Sequence, residues 1–291
     1  MAYLSILLAD ILLALDSVCS KKYQQWRGIS SKAAYFFITI TALLGGIIFF
    51  VINNFKLQIT PFSLVICVIM NSLVIIYTLL GRFIIKYGTL AVYSLFLMTG
   101  GMVVPYIWGL LFLKENFSIL KTIGLILIVL SVLFSNNMKQ KSNFKFIILC
   151  FAVFFLNGFV SVTSKIHQIE KDYPTVSTTD FVIIGSVFKF LVMGILFLIQ
   201  LKKNEPTFDN SKVHIGKVLL LLLISTILAN ASSYLLLQGA KEIPATVLYP
   251  LNTGGTIICT AISGVLIYKE KLTKNIIISI AICFIGTLMF L

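Results

Sequence analysis

Residues 243–272 read IPATVLYPLNTGGTIICTAISGVLIYKEKL. From Ala245 to Tyr268 there is no charged side chain, and Lys269, Glu270 and Lys271 follow at once. An apolar helix needs about 20 residues to cross a hydrocarbon core of about 30 Å, so this stretch is long enough to span a bilayer. Pro244 stands at its entrance, where a missing N–H costs nothing. Pro250 lies inside it and should kink the helix or free a backbone carbonyl.

The same punctuation occurs earlier in the chain. Thr99-Gly100-Gly101 precedes Thr253-Gly254-Gly255 by 154 residues, and Lys114-Glu115 precedes Lys269-Glu270 by 155. Ser20-Lys21 precedes Ser164-Lys165 by 144. Three dipeptide-scale signals in one order point to an internal duplication.

Working outward, further apolar stretches run about Ala2–Ser20, Ala33–Ile52, Phe62–Ile85, Thr89–Leu113 and Ile119–Ser135. A polar basic linker, Asn136 to Asn143, comes next. About Phe144–Ser164, Val176–Leu201, Ile215–Gln238, Ala245–Tyr268 and Asn275–Leu291 complete the set. The longest other loop, Lys202 to Val213, is too short for a domain. The pattern predicts an all-α integral membrane fold of ten transmembrane helices in two units, 1–138 and 144–291. Because each unit has five spans, the second enters the bilayer reversed, giving two inverted five-helix repeats. Long continuous apolar runs exclude a barrel, whose strands alternate over about ten residues. The first stretch has neither the basic start nor the small-residue cleavage site of a removed signal peptide.

Composition agrees. Of 291 residues 59% are hydrophobic and 11% charged, against about 25% charged in soluble domains. A soluble enzyme, a disordered chain and a disulfide scaffold are excluded. The net charge of +13 comes from basic residues between the apolar stretches, which suits lipid headgroups and gives no nucleic-acid site. Cys19, Cys67, Cys150, Cys259 and Cys283 lie singly in apolar stretches, and His167 and His214 form no cluster, so no metal or cofactor is expected. Lysine outnumbers arginine 21 to 2, with much Ile, Phe and Asn, as in an AT-rich bacterial genome. The expected location is the cell (inner or plasma) membrane.

Charges inside a span cost roughly 2.5–3.5 kcal/mol each and mark function. Asp10 and Asp16 lie in the first span and Lys189 in the seventh. At about 100° per residue Asp10 shares a face with Ser17 and Lys21, and Asp16 shares a row with Ser20. Lys189 is too deep to reach the interface and must face protein or water. These three are candidate substrate or proton ligands; the alternative is an Asp–Lys189 ion pair that only holds helices. Asn71, Tyr77, Asn157, Asn230, Ser233, Tyr234, Tyr249 and Asn252 supply softer polar groups. Singly they read as interhelical hydrogen bonds of about 1 kcal/mol, and as a set they suggest a wet cavity. Gly100, Gly101, Gly254 and Gly255 read as close-packing sites, as does the pair Gly45-Gly46. Glu115 and Glu270 read as solvated or structural charges at span ends. No nucleophile triad, zinc motif, phosphate loop, voltage-sensor arginine ladder or selectivity filter occurs.

On these landmarks the chain resembles the drug/metabolite transporter superfamily, with its EamA-like ten-helix layout. Ile243-Pro244, Tyr249 and Thr253-Gly254 also resemble the third helix of small multidrug resistance proteins. The resemblance implies a central cavity lined by helices 1, 3, 4, 6, 8 and 9, with alternating access and with Tyr249 on its wall. One departure is plain. The small multidrug proteins carry a first-helix Glu eight residues before a Lys. Here Leu13 and Asn157 stand eight before Lys21 and Lys165, and Asp10 and Asp16 flank Leu13.

The expected function is secondary active transport of a small polar, amine-bearing or zwitterionic metabolite, coupled to protons. Export of lipophilic cations is the alternative within transport, and a membrane protein without transport is the alternative outside it. The expected partners are a small-molecule substrate, protons and the lipid bilayer, with a homodimer left open. Basic residues in loops after odd-numbered spans number 16, against 6 after even-numbered spans, omitting Lys189. The positive-inside rule then places both termini outside, whereas the resemblance implies both inside. By the charge count both termini are expected outside.

Overall fold

The computed structural model describes residues 2–28, 30–84, 90–135, 144–202, 214–269 and 274–291. The linker from Asn136 to Asn143, most of the loop from Lys202 to Val213, Glu270, and Lys86 and Lys271 from the charge count lie outside the described residues.

The described residues form ten helices and no strand: α1 (Ala2–Arg27), α2 (Ser31–Ile52), α3 (Pro61–Ile84), α4 (Leu90–Leu111), α5 (Ile119–Ser135), α6 (Phe144–Ile169), α7 (Thr178–Leu201), α8 (Ile215–Glu242), α9 (Ala245–Tyr268) and α10 (Lys274–Leu288). Eight are long and apolar enough to cross a membrane. The other two, α5 with 17 residues and α10 with 15, are apolar but shorter.

Three helices outrun the C-terminal ends of their apolar stretches. α1 continues through Lys21 to Arg27, α6 through Lys165 to Ile169, and α8 through Lys241 to Glu242. The apolar stretch reports only the length in hydrocarbon; Lys, Gln and Glu are good helix formers and carry the turns onward. α7 begins later than its apolar run, at Thr178. Ser177 accepts from the Asp180 N–H at 3.1 Å and donates to the Asp180 carboxylate at 2.7 Å, a capping arrangement that sets the start. Asp180 also accepts from Asn53 at 2.8 Å, tying the α2–α3 loop to α7.

Eight helices pack in a closed ring in the order α9, α1, α8, α2, α7, α3, α6, α4 and back to α9. α5 and α10 pair with each other and lie outside the ring, against α4 and α9. Small residues permit that pairing. Gly124 and Gly286 lie against each other's backbones, and Ser279 donates to the Ser131 carbonyl at 2.6 Å.

One end of the ring is densely packed. There Ile6, Ala240, Ile243, Ala245, Val247, Leu248, Tyr249 and Phe290 form one buried cluster. Both chain ends and the α8–α9 turn therefore lie at that end. In α9 every residue from Ala245 to Leu251 is buried, while none from Gly255 to Tyr268 is. At the packed end α6 and α8 meet across the ring. Among the described residues α1 and α3 make no comparable packing across it.

Candidate functional site

Asp10 is 2% exposed and sits between α1 and α9. Its Oδ1 accepts from Thr256 Oγ1 at 3.0 Å, and its Oδ2 lies against the Cα of Gly255. Asp16 is half-buried in the seam between α1 and α8, where it accepts a hydrogen bond from Ser225 Oγ. That seam is antiparallel, and seven residues away Ser232 Oγ donates to the Ala9 carbonyl at 2.8 Å. The two carboxylates thus flank the inner line of α1 from opposite sides, with Leu13 between them in sequence. Ser17, on the Asp10 face, is exposed.

Lys189 points away from lipid. Val187, Leu191, Ile195 and Leu198 form the exposed row of α7, and Lys189 lies about 160–200° around the helix from Val187 and Leu191. Among the described residues it makes no ion pair with either aspartate; its electrostatic neighbour is the sulfur of Cys67 on α3. Asp10 meets α9 about 15 Å from the start of that helix, and Lys189 is about 16 Å from the start of α7, both entering from the packed end. Both groups therefore lie near half-depth, on different walls of the ring.

Most of the softer polar groups are committed to helix contacts. Asn157 donates to the Leu97 carbonyl at 2.7 Å. Asn71 donates to the Cys67 carbonyl at 2.7 Å, and Asn230 to the Thr226 carbonyl at 2.9 Å. Tyr249 donates to the Ser161 carbonyl at 2.5 Å, and Tyr234 accepts from Gln238 at 3.0 Å. Tyr77 packs beside Tyr93 and Phe146. Asn252 and Tyr77 have no hydrogen-bond partner among the described residues. Ser233 is exposed although Thr226 and Ala240, seven residues to either side on the same face, are buried. These residues and Lys189 mark where polar capacity is left unused inside the ring.

The glycines lie where helices touch. A methyl group at Gly100 would run into the backbone of Phe154 on α6, and one at Gly101 would lie 2.6 Å from Asn157 Nδ2. At Gly254 it would meet Thr287 Oγ1, at Gly255 the Asp10 carboxylate, and at Gly45 Asn230. Pro105 denies an N–H to the carbonyl four residues back, that of Gly101. Ser161 Oγ on α6 donates to that carbonyl at 3.1 Å instead.

Sequence reasoning missed two pairs of contacts at the α8–α9 turn. Pro244 is the N-cap of α9 and offers no side-chain cap. Both carboxylate oxygens of Glu115 take its place, accepting from Ala245 N–H at 2.7 Å and Thr246 N–H at 2.8 Å. Lys165, 3% exposed, donates to the Ala240 and Ile243 carbonyls at 2.6 Å each, closing the end of α8. A helix start with a proline cap and no Ser, Thr, Asp or Asn was the available signal that a remote acceptor is needed. Thr256 and Ser225 as carboxylate partners carried no such signal.

A groove of about 290 Å³ lies between α2 and α7, lined by Ala42, Leu43, Gly46, Phe50 and Phe190 among others. It is apolar and touches neither aspartate. Among the described residues no group of His, Cys, Asp and Glu could hold a metal ion.

Comparison with known proteins agrees with this architecture. No curated protein matches the sequence. A solved structure titled "Crystal structure of protein" aligns over 99% of this chain and 94% of its own, with a TM-score of 0.73 at 13% identity, a likeness of fold. The profile of the EamA-like transporter family matches residues 144–291, half of the chain and the span of α6 to α10. The chain therefore belongs to the EamA-like transporter family, multi-pass membrane transporters of the drug/metabolite type.

Proposed function

We propose that the chain is a secondary active transporter of a small amine-bearing or zwitterionic metabolite, working by alternating access and coupled to protons. The observation that carries the reading is the placing of Lys189. It is a cation at half-depth on the inner face of α7, with no carboxylate partner among the described residues, in a ring in which another helix, α1, carries Asp10 and Asp16. A cation placed this way at considerable cost is suited to a carboxylate that arrives with the substrate. Asp16, half-buried and using one oxygen on Ser225, has an acceptor to offer an amine or a proton. Asp10 is sealed by Thr256 and Gly255 and becomes available when α9 moves relative to α1.

Two features support two inverted five-helix repeats, 1–138 and 144–291. Exchanging each helix with its counterpart five places on maps the main packings onto one another: α1 on α8 becomes α6 on α3, α9 on α1 becomes α4 on α6, and α2 on α7 is unchanged. Lys114 and Lys269, equivalent in the repeat, both adopt left-handed backbone at φ 53°. The dense packing at one end with the sparser opposite end supports a state open on one side.

The charge count makes the open end cytoplasmic and the packed end, with both termini, external. A panel of amines, amino acids and carboxylates on purified protein, read as a rise in melting temperature, tests the substrate class, because a ligand of the native state stabilises it by mass action. Zwitterions are expected to raise it most. Stabilisation by lipophilic cations alone would favour the drug-export reading.

A further inference from the structure

The packed end is held by two charges of opposite sign on one turn. α8 ends at Glu242 and α9 begins at Ala245, so only Ile243 and Pro244 separate them. A helix C-terminus exposes carbonyls and a negative dipole end; a helix N-terminus exposes N–H groups and a positive one. Lys165 from α6 answers the first and Glu115, just beyond α4, answers the second. Four hydrogen bonds of 2.6–2.8 Å thus fix a two-residue turn from outside its own hairpin. The two charges face each other across the turn without forming an ion pair among the described residues. Beside them Tyr249 reaches across to the Ser161 carbonyl, again from α9 to α6.

The Lys165 bonds cross the mouth of the ring, while Glu115 reaches the turn from beside α4, the ring neighbour of α9. Lys165 joins α6 to α8, which stand on opposite walls, and that is the place where the ring is bridged. A lysine that only closed the end of α8 could come from a neighbouring helix, whereas Lys165 comes from α6, across the ring from α8. Glu115, from the α4–α5 connection, holds the start of α9 against α4 on the same turn. Gly109 contributes to the fit, because a methyl group there would lie 2.8 Å from Glu115 Oε2.

We propose that Lys165 and Glu115 form a latch that holds the α8–α9 turn shut, and that its release opens the packed end during transport. The proposal rests on the alternating-access reading above. Shutting the mouth satisfies both charges and four backbone groups; opening it must return them to water together. The latch is therefore an all-or-none element rather than a graded one, and weakening it shifts the population toward the state open at that end.

The test uses two reporter cysteines in the full-length protein. Ser164→Cys lies at the latched mouth, where Ser164 is 9% exposed, and Ser17→Cys lies further along α1, toward the other end of the ring, where Ser17 is exposed on the Asp10 face. Labelling by a polar maleimide is followed site by site by mass spectrometry, which separates the reporters from the five native cysteines. In the otherwise unaltered protein Ser17→Cys should label fast and Ser164→Cys slowly. Glu115→Gln should raise the Ser164→Cys rate about tenfold and lower the Ser17→Cys rate, since one population grows at the other's expense. Lys165→Gln should act in the same direction. Should it fail to fold, Glu115→Gln decides alone, since Glu115 is only half-buried. Rates unchanged at both reporters, or raised at both together, would overturn the latch and leave the pair as helix caps. Complete protection of Ser164→Cys in the parent protein would overturn alternating access itself, and the latch with it.

Discussion

The Oδ2 atom of Asp10 rests on the Cα of Gly255, where any larger residue would place its Cβ. The carboxylate of one helix thus occupies the side-chain space of another. Gly101 stands in the same relation to the amide of Asn157, with the methyl position 2.6 Å from Nδ2. In both cases a polar group of α1 or α6 fills the gap left by a glycine on α9 or α4.

Gly255→Ala should therefore act through Asp10. Forcing a methyl group into an occupied site costs about 1–3 kcal/mol, and relief here requires the carboxylate to leave Thr256. The expected result is a lower melting temperature and loss of any ligand response that depends on Asp10. Combining Gly255→Ala with Asp10→Ala should recover much of the stability, a coupling that a double-mutant cycle measures. Gly255→Leu should fail in folded yield. A stable Gly255→Ala protein with full ligand response would show that Asp10 need not stay where it lies.

The parts of the fold legible in the sequence were those written in long patterns. Ten apolar runs become ten helices, and the boundaries of α5 and α9 coincide with their runs. Boundaries failed where helices leave the hydrocarbon, at Lys21, Lys165 and Lys241, because hydropathy ends there while the backbone ladder does not. The candidate site was legible as residue types and depth but not as partners. Asp10 and Asp16 read as substrate or proton ligands, with an ion pair to Lys189 as the alternative, and each meets a hydroxyl, Thr256 and Ser225, which a sequence offers at many equally plausible positions. Glu115 read as a solvated or structural charge at a span end, and Lys165 as part of the punctuation of the repeat. Their task depends on a turn more than 70 residues away from either, and only packing brings it to them.

Orientation is expected to follow from charge. With both chain ends at the packed end of the ring, one C-terminal reporter settles the sidedness of both mouths. The excess of basic residues after odd-numbered helices should hold the open end in the cytoplasm. A reporter active only in the cytoplasm, fused after Leu291, is expected to stay silent. Strong activity would reverse the assignment and make the open end external.

Lys189→Met separates two roles for the lysine. No carboxylate partners it among the described residues, so its removal strands no buried charge. The variant should melt at or above the temperature of the parent protein, since a desolvated ammonium is exchanged for an apolar chain of similar length. It should lose stabilisation by carboxylate-bearing ligands. Adding Asp16→Asn should change stability additively, within about 0.5 kcal/mol, as for sites without a shared partner. A destabilised Lys189→Met rescued by Asp16→Asn would mean that the two are an ion pair in solution.

The carboxylates of α1 should divide the work between them. Asp16 is half-buried beside Ser225, and Asp10 is sealed between Thr256 and Gly255. Asn keeps the shape of Asp and can still accept from the same hydroxyl, but it cannot exchange a proton for a cation. Asp16→Asn should therefore fold with a melting temperature near that of the parent and lose uptake driven by a pH gradient in proteoliposomes. Asp10→Asn should bind ligand in the state open at one end, because its carboxylate is not reachable there. It should be defective in turnover, because α9 must part from α1 before the packed end can open. Equilibrium binding and gradient-driven uptake, measured on both variants, distinguish these outcomes. If Asp16→Asn and Asp10→Asn both show full pH-driven uptake, the carboxylate site is wrong, and Ser233, Asn252 and the polar lining of α8 and α9 become the place to look.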